Sequence, residues 1–507
     1  MNKIFKNSVF NIIQVVVVTP IFFILVPYTI SKIGTEGYGI WALVGIISSY
    51  QSFVNFGLTT ALIRFVAKAE AVKDYDAISE YLATSMIIYL ALSSIIVLLI
   101  IIFRKFVVVN ILNIKVNIGV ASFLVIFSGM SSVINMISGL FKSIIDGVQR
   151  MDISNGILTV QVILSAIGTF FFLESGFGLK GLAINLLIFS FLSLIANVYF
   201  SKLILPYKIN PLLFKVSRFK EMFSYSIHLQ VAGLIRMWIE PLNKILISHL
   251  FSLSYVGYYE IALRFNNRIT DLIRSALSPI FPASAEIYQK QGVEKIEKLR
   301  IKSSKYLFTF LTSIYVVIII LIPNFVKLWL GPDLQIVAPL IVIFMVGLYI
   351  SLLATPAYAI LNGTGYSKET LSVQIQSVAV NILGILVFWK LFGFYGFCAA
   401  FSVSMIYSFW ASQYYYKKRF GKELKVFKVF GNKKVIINSL IFLAIGIIFI
   451  NIISLNNYFK IAIFGFVFFI CNLFVIWKFK IITGEDIEIL IGNKSYNRIL
   501  AKIKGLS

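Results

Sequence analysis

Charge is scarce in this chain, and acid is scarcer than base: only 13% of the 507 residues are Asp, Glu, Lys or Arg, with 21 acids against 46 bases. A soluble domain carries roughly twice that share of charge. The two cysteines, Cys398 and Cys471, lie inside apolar runs without metal-ligand spacing, so no metal centre is expected and nothing follows about redox compartment. Also missing are a P-loop, an HExxH helix, a nucleophile elbow and an aspartate pair fit for a metal-dependent glycosyltransferase. These gaps argue against nucleotide-driven and hydrolytic chemistry. No stretch between apolar runs is long enough for a soluble catalytic domain; the longest outward loop is 104–117, RKFVVVNILNIKVN.

What fills the chain instead is hydrocarbon. Apolar residues make up 59%, and the mean hydropathy is +0.91. Runs of about 20 apolar residues, the length that crosses a bilayer as a helix, recur almost end to end. Backbone polar groups in lipid must be satisfied within a segment, so the expected class is an all-α integral membrane protein. Fourteen spans are expected, at 7–32, 37–63, 81–103, 118–142, 153–174, 179–201, 221–249, 254–282, 305–328, 336–361, 369–390, 395–416, 435–454 and 459–478. The first has a basic start (Lys3, Lys6) but no cleavage site, and reads as a retained helix.

Basic residues fix the expected orientation. With a cytoplasmic N-terminus, 32 of them fall on the cytoplasmic side, 6 within spans and 8 outside: Lys32, Arg104, Lys105, Lys115, Lys180, Lys327, Lys390 and Lys460. That bias places both ends in the cytoplasm. The net charge of +25 then needs no nucleic-acid partner, because loops such as KKRFGKELKVFKVFGNKK (417–434) sit against anionic membrane lipids. The segment 479–507 reads as an amphipathic cytoplasmic tail.

ISKIGTEGYGIWAL (30–43) returns 220 residues later as ISHLFSLSYVGYYEIAL (247–263), aligning Gly37 and Tyr38 with Gly257 and Tyr258. An even number of spans separates the copies, so they share one orientation. The expected plan is two parallel six-helix lobes, 1–201 (spans 1–6) and 221–416 (spans 7–12). A cytoplasmic linker (202–220) joins them, and the basic loop 417–434, two C-terminal helices (435–478) and the tail follow.

The YGIWAL segment beyond an IG turn, followed by NFGLTTALIRFVAKA, resembles the start of Wzx-type oligosaccharide-lipid flippases, relatives of multidrug extruders and peptidoglycan-precursor flippases. Length, span number and duplication fit the resemblance across the chain. It implies alternating access in the bacterial inner membrane, an undecaprenyl-diphosphate-linked oligosaccharide as cargo for O-antigen or capsule, and proton or sodium coupling without a cofactor. A polysaccharide polymerase and a chain-length regulator are its implied partners. One departure stands out: Asn55 occupies the place before Phe56-Gly57-Leu58 where relatives carry Asp, which removes a carboxylate role there.

Two consecutive spans concentrate the intramembrane charge. Glu260, Arg264, Arg268, Asp271, Arg274 and Ser278 step by three or four along one helix face, and His228, Arg236, Glu240 and Lys244 do so on the span before. An ionisable group at mid-bilayer costs about 2.5–3.5 kcal/mol on insertion scales, so these groups face a cavity or one another. Five bases meet three acids. The stripes either dock two helices as an ion-pair network or line a cationic cavity that suits a diphosphate, which Arg grips bidentately.

The candidate substrate-binding residues are therefore Arg236 and Arg268 first, then Arg264, Lys244, Arg274 and Arg64, the last of which also fits a snorkelling anchor. Glu240, Glu260, Asp271 and His228 are candidates for ion coupling. Amides at Gln14, Gln51, Asn55, Gln161, Gln374 and Asn381 lie inside other spans, where they bond between helices or to sugar hydroxyls. Two alternatives are a cation-coupled drug extruder, which would line its cavity with acids and aromatics, and a membrane polymerase or acyltransferase, which would carry a large outward catalytic loop.

Overall fold

The computed structural model describes residues 2–54, 57–224, 238–277, 280–422, 433–453 and 455–478, and among them there is no strand. The expected tail (479–507) and most of the basic loop lie outside these residues. In chain order the main helices are α1 (Asn2–Val54), α2 (Leu58–Ala71), α3 (Tyr75–Phe106), α4 (Ile118–Gly147), α5 (Met151–Glu174), α6 (Gly178–Ile204), α7 (Ile239–Leu250) and α8 (Leu253–Leu277). They continue as α9 (Ile280–Leu330), α10 (Val337–Leu352), α11 (Thr355–Gly363), α12 (Ser367–Phe420), α13 (Lys433–Ile452) and α14 (Tyr458–Lys478). The chain is an all-α membrane protein.

Among the described residues eight helices are long and apolar enough to cross a bilayer, or nine when α10 and α11, bent by 42°, count as one span. The expected fourteen differ from this tally for physical reasons. α1 and α12 hold 53 and 54 residues. At 1.5 Å each that is about 80 Å, more than twice a hydrocarbon core of about 30 Å. Each breaks at a glycine in the left-handed φ region, Gly34 (φ 70°) and Gly393 (φ 57°), so α12 holds two of the expected spans and α1 holds the first and most of the second, whose last residues begin α2. α8 is long enough, but its charged stripe removes it from any tally by hydropathy. α9 breaks in the same way at Gly292 (φ 73°), within the segment expected to join the eighth and ninth spans.

Contacts group the chain into two compact units: residues 1–278 with 367–404, and 279–366 with 405–507. In the first, α2, α3 and α4 share a core of Leu58, Leu62, Val66, Ile78, Leu82, Leu140 and Ile144, joined by Leu205, Tyr207 and Met222 from the segment after α6. That segment is pinned along α3: the Lys208 and Lys215 amides donate to Ser79 Oγ (2.9 Å) and Thr84 Oγ1 (3.1 Å), and Arg218 Nε donates to Glu80 at 2.9 Å. Burial pushes the Tyr207 phenol up to about 12, and its hydroxyl pairs with Ser201 at 2.7 Å. α4 and α6 meet through small polar residues, with Ser131 and Ser190 hydroxyls 2.6 Å apart and Asn197 donating to Ser138 at 3.1 Å. Such residues let backbones approach where lipid supplies no hydrophobic drive.

Helix ends in this unit pair as alternating spans require. Lys32 meets Glu174 (2.9 Å), and His249 and Asn113 join the end of α7 to the loop after α3, all at ends expected on one side. Glu80 with Arg218, and Tyr81 with Glu221 (2.8 Å), pair at ends expected on the other.

In the second unit α9 packs against α13 and α14, where Gly446 and Gly465 lie against the Ile320 and Leu321 side chains. Asn438 and Ser313 both donate to Asn472 Oδ1. Near the base of α9, Arg300 is 1% exposed and fully engaged. It donates twice to Glu297 (2.6 and 2.9 Å) and once to Gln413 (2.9 Å), and lies over the Tyr416 ring.

Candidate functional site

The charged stripe of α8 faces α7 and the second half of α1, and the reason lies in two glycines. A Cβ on Gly39 would sit 1.9 Å from the Leu253 carbonyl oxygen, and one on Gly257 would sit 2.8 Å from that of Thr35. Only glycine permits this crossing. The repeated segments recognised in the sequence thus pack on each other, which brings Ala42 and Gly45 of α1 over the stripe one turn farther on.

There a cavity of roughly 280 Å³ is lined by Ala42, Gly45, Glu240, Lys244, Glu260, Leu263, Arg264, Asn267, Arg268 and Asp271. Glu260 is its anchor, 2% exposed, and takes two cations: Lys244 Nζ at 2.5 Å from α7 and Arg264 one turn along α8. A buried carboxylate needs such partners, since desolvating an unpaired charge costs several kcal/mol. Arg264 nevertheless stays 45% accessible, so Glu260 occupies one edge of its guanidinium while the rest faces open space. Asn267 Nδ2 donates to Glu240 Oε1 at 3.3 Å and ties the two helices a second time.

Arg268 has no carboxylate within ion-pair distance among the described residues. Its guanidinium lies 5.6 Å from the centroid of the Phe22 ring. Arg264 and Arg268 also border a second cavity of roughly 220 Å³, walled by α1, α5 and α6. Its other polar lining is Thr29, Tyr38, Trp41, Ser165, Thr169 and Asn185. Asn185 donates to Ser165 and Thr169 (3.0 and 3.1 Å) and can come this close because Gly168 leaves room: a Cβ there would sit 2.1 Å from its Oδ1. The charge balance of the two cavities differs. Among the described residues the first is lined by three acids and three bases, whereas the second is lined by two arginines and no acid.

Six expected residues, Arg264, Arg268, Lys244, Glu240, Glu260 and Asp271, are therefore brought together. Arg236 and His228 lie outside the described residues. Arg274 is half-buried and Arg64 is exposed at α2 near the Phe65 ring; neither lines these cavities. Gln14, Gln51 and Asn55 are not among the described side chains, while Asn381 is fully buried with neither amide atom bonded. Tyr38, Trp41, Ser165, Thr169 and Asn185 line the second cavity without having been singled out by sequence. Tyr38 and Trp41 had a signal in the repeated motif; the α5 and α6 residues had none, because ordinary polar residues in a span point anywhere until helix packing is known. Among the described residues no group of three or more His, Cys, Asp or Glu is placed to hold a metal.

Comparison with known proteins adds four matches. A family described as polysaccharide biosynthesis protein matches residues 33–339, more than half of the chain. The uncharacterized membrane protein EpsK of Bacillus subtilis (strain 168) is 23% identical over 372 residues, covering 71% of this chain and 72% of that protein. Among solved structures, an inward-facing multidrug resistance MATE family transporter of the MOP superfamily matches with a TM-score of 0.71 at 14% identity, over 79% of this chain and 94% of that one. The lipid II flippase MurJ in an inward closed conformation matches with a TM-score of 0.66 at 15% identity, over 90% and 99%. The fold is that of this group of membrane transporters.

Proposed function

The chain belongs to the polysaccharide biosynthesis protein family, and on that premise we propose that it is a flippase for undecaprenyl-diphosphate-linked oligosaccharide repeat units. It carries them across the bacterial inner membrane by alternating access between two lobes (1–201 and 221–416), for O-antigen or capsule assembly. The observation that supports this most is the cavity whose only charges among the described residues are Arg264 and Arg268. Two guanidiniums facing one space attract a diphosphate, and the hydroxyls, amide and Trp41 around them suit a sugar. An organic cation, the cargo of a drug extruder, would meet net positive charge there. A polymerase or acyltransferase would carry a large outward catalytic loop, and the longest outward stretch expected from the sequence is 104–117.

Basic residues predominate on the side where Glu80 meets Arg218, which supports cytoplasmic termini. Export needs a driving force, and the carboxylates of the first cavity are the candidates for coupling protons or sodium. Asp271 is exposed, whereas Glu260 is sealed by two cations. The polymerase and chain-length regulator would receive the product outside.

The test is reconstitution into liposomes with a fluorescent oligosaccharide linked to undecaprenyl diphosphate, following probe that becomes inaccessible to a membrane-impermeant quencher. Faster translocation than in empty liposomes, strongly slowed in Arg268→Ala, is expected. Efflux of organic cations without movement of the lipid-linked sugar would favour the extruder instead.

A further inference from the structure

The walls that hold the charged cavity have a second face. On α1, Ala42 and Gly45 line the charged cavity while Ile46 and Ile47 turn to another space, and on α7 Glu240 and Lys244 divide in the same way from Ile245 and from Trp238 just before the helix. That space has a volume of roughly 420 Å³ and is closed by Ile96 and Ile100 of α3, the segment Val107–Leu112, and Gly129, Ser132, Val133 and Met136 of α4. This volume is within the ~300–1,000 Å³ of sites that bury a small ligand. Its one hydroxyl is already used: Ser132 Oγ donates to the Ser128 carbonyl at 2.8 Å. Gly129 keeps the wall open, since a Cβ there would meet Ile100 Cδ1 at 2.8 Å. Its far end adjoins Asn110 and Asn113, which contact His249 and Ser248, so it opens toward the side where Lys32 meets Glu174.

We propose that this apolar cavity holds the isoprenoid tail of the cargo lipid while its diphosphate is bound by the arginines across the α1–α7 wall, a reading that rests on the flippase function above. A molecule with an anionic head and a hydrocarbon chain requires a polar and an apolar compartment side by side, and this wall separates them. Lipid already solvates a free tail, so the cavity gains nothing by hydrophobicity alone. Its advantage is tethering: once the head is bound, the chain is concentrated beside the nearest dry space. Lying toward the side expected to face outward, it holds the tail in the half of the bilayer where the product leaves.

The experiment uses the full chain in nanodiscs with undecaprenyl diphosphate bearing a diazirine near the start of its tail. Crosslinked peptides are mapped by mass spectrometry, beside the liposome translocation assay. Adducts on Ile100, Ser132 or Val133 are expected, suppressed by excess unlabelled undecaprenyl diphosphate and not by phosphatidylglycerol. Filling the space with Val133→Trp should remove these adducts. It should leave those in the open apolar groove of α5 and α6, at Val160 and Leu164, which serves as the control for folding. If Val133→Trp does not fold, the wild-type competition alone decides. Adducts confined to the α5–α6 groove, or suppressed equally by phosphatidylglycerol, overturn the tail site while translocation by the wild type leaves the flippase reading standing. Absence of both adducts and translocation removes that reading as well.

Discussion

Gly39 and Gly257 face each other where the second half of α1 crosses α8, so closely that a Cβ on either would enter the backbone of the other helix. The site depends on this crossing, because it sets Ala42 and Gly45 above the charged stripe. Gly39→Val should cost roughly 1–3 kcal/mol or more through overpacking, read as a lower thermal midpoint of the detergent-solubilised protein. Gly45→Ala on the same helix meets nothing within 4 Å and should leave the midpoint unchanged or raise it.

Glu260 should be the most costly acid to neutralise. Glu260→Gln leaves Lys244 and Arg264 beside each other without their shared carboxylate, and breaking one side of a buried pair costs about 3–5 kcal/mol. Thermal unfolding and yield of monodisperse protein measure this loss. Adding Lys244→Met should recover part of it. A double variant as unstable as Glu260→Gln alone would mean the carboxylate does not hold α7 to α8.

Arg268 should behave in the opposite way. Its contact is the Phe22 ring, so Arg268→Ala should change stability by less than about 1 kcal/mol. Losing a charge-assisted grip worth about 1.5–3 kcal/mol should slow translocation roughly ten- to a hundredfold. Arg268→Lys, which keeps charge without the bidentate fork, should fall between. Wild-type surface polymer in a strain relying on Arg268→Ala at normal expression would remove this residue from the mechanism.

Two ion pairs whose residues line neither cavity give a contrast that tests the same physics. Arg300 is buried and holds Glu297, Gln413 and the face of Tyr416, so Arg300→Leu should destabilise by roughly 3–5 kcal/mol. The Glu174 side chain is 60% exposed, and Lys32→Ala should cost under about 1 kcal/mol, the worth of a surface pair. Comparable losses in the two variants would show that burial does not rank these pairs.

Much of the site is legible in the amino-acid sequence because α8 violates the composition around it. A stripe stepping by three and four has one helix face wherever that helix packs, so Glu260, Arg264, Arg268 and Asp271 have to share one. The five-to-three surplus of bases is harder to interpret. Arg236 lies outside the described residues and Arg274 is not among the lining, so the described lining of the first cavity counts three acids and three bases. The excess of positive charge appears on the other side of Arg264 and Arg268, where α5 and α6 contribute only neutral groups.

The sequence by itself determined that this chain lives in a membrane, that it is helical, and that two consecutive helices carry its intramembrane charge on one face each. Those conclusions follow from hydrocarbon content and helical period, which are local properties. Only the tertiary structure decided that Lys244 and Arg264 share one carboxylate, that two arginines open onto a space with no acid among its described lining, and that an apolar cavity lies across the α1–α7 wall. Those facts depend on which faces meet, and they meet where Gly39 and Gly257 let two backbones touch.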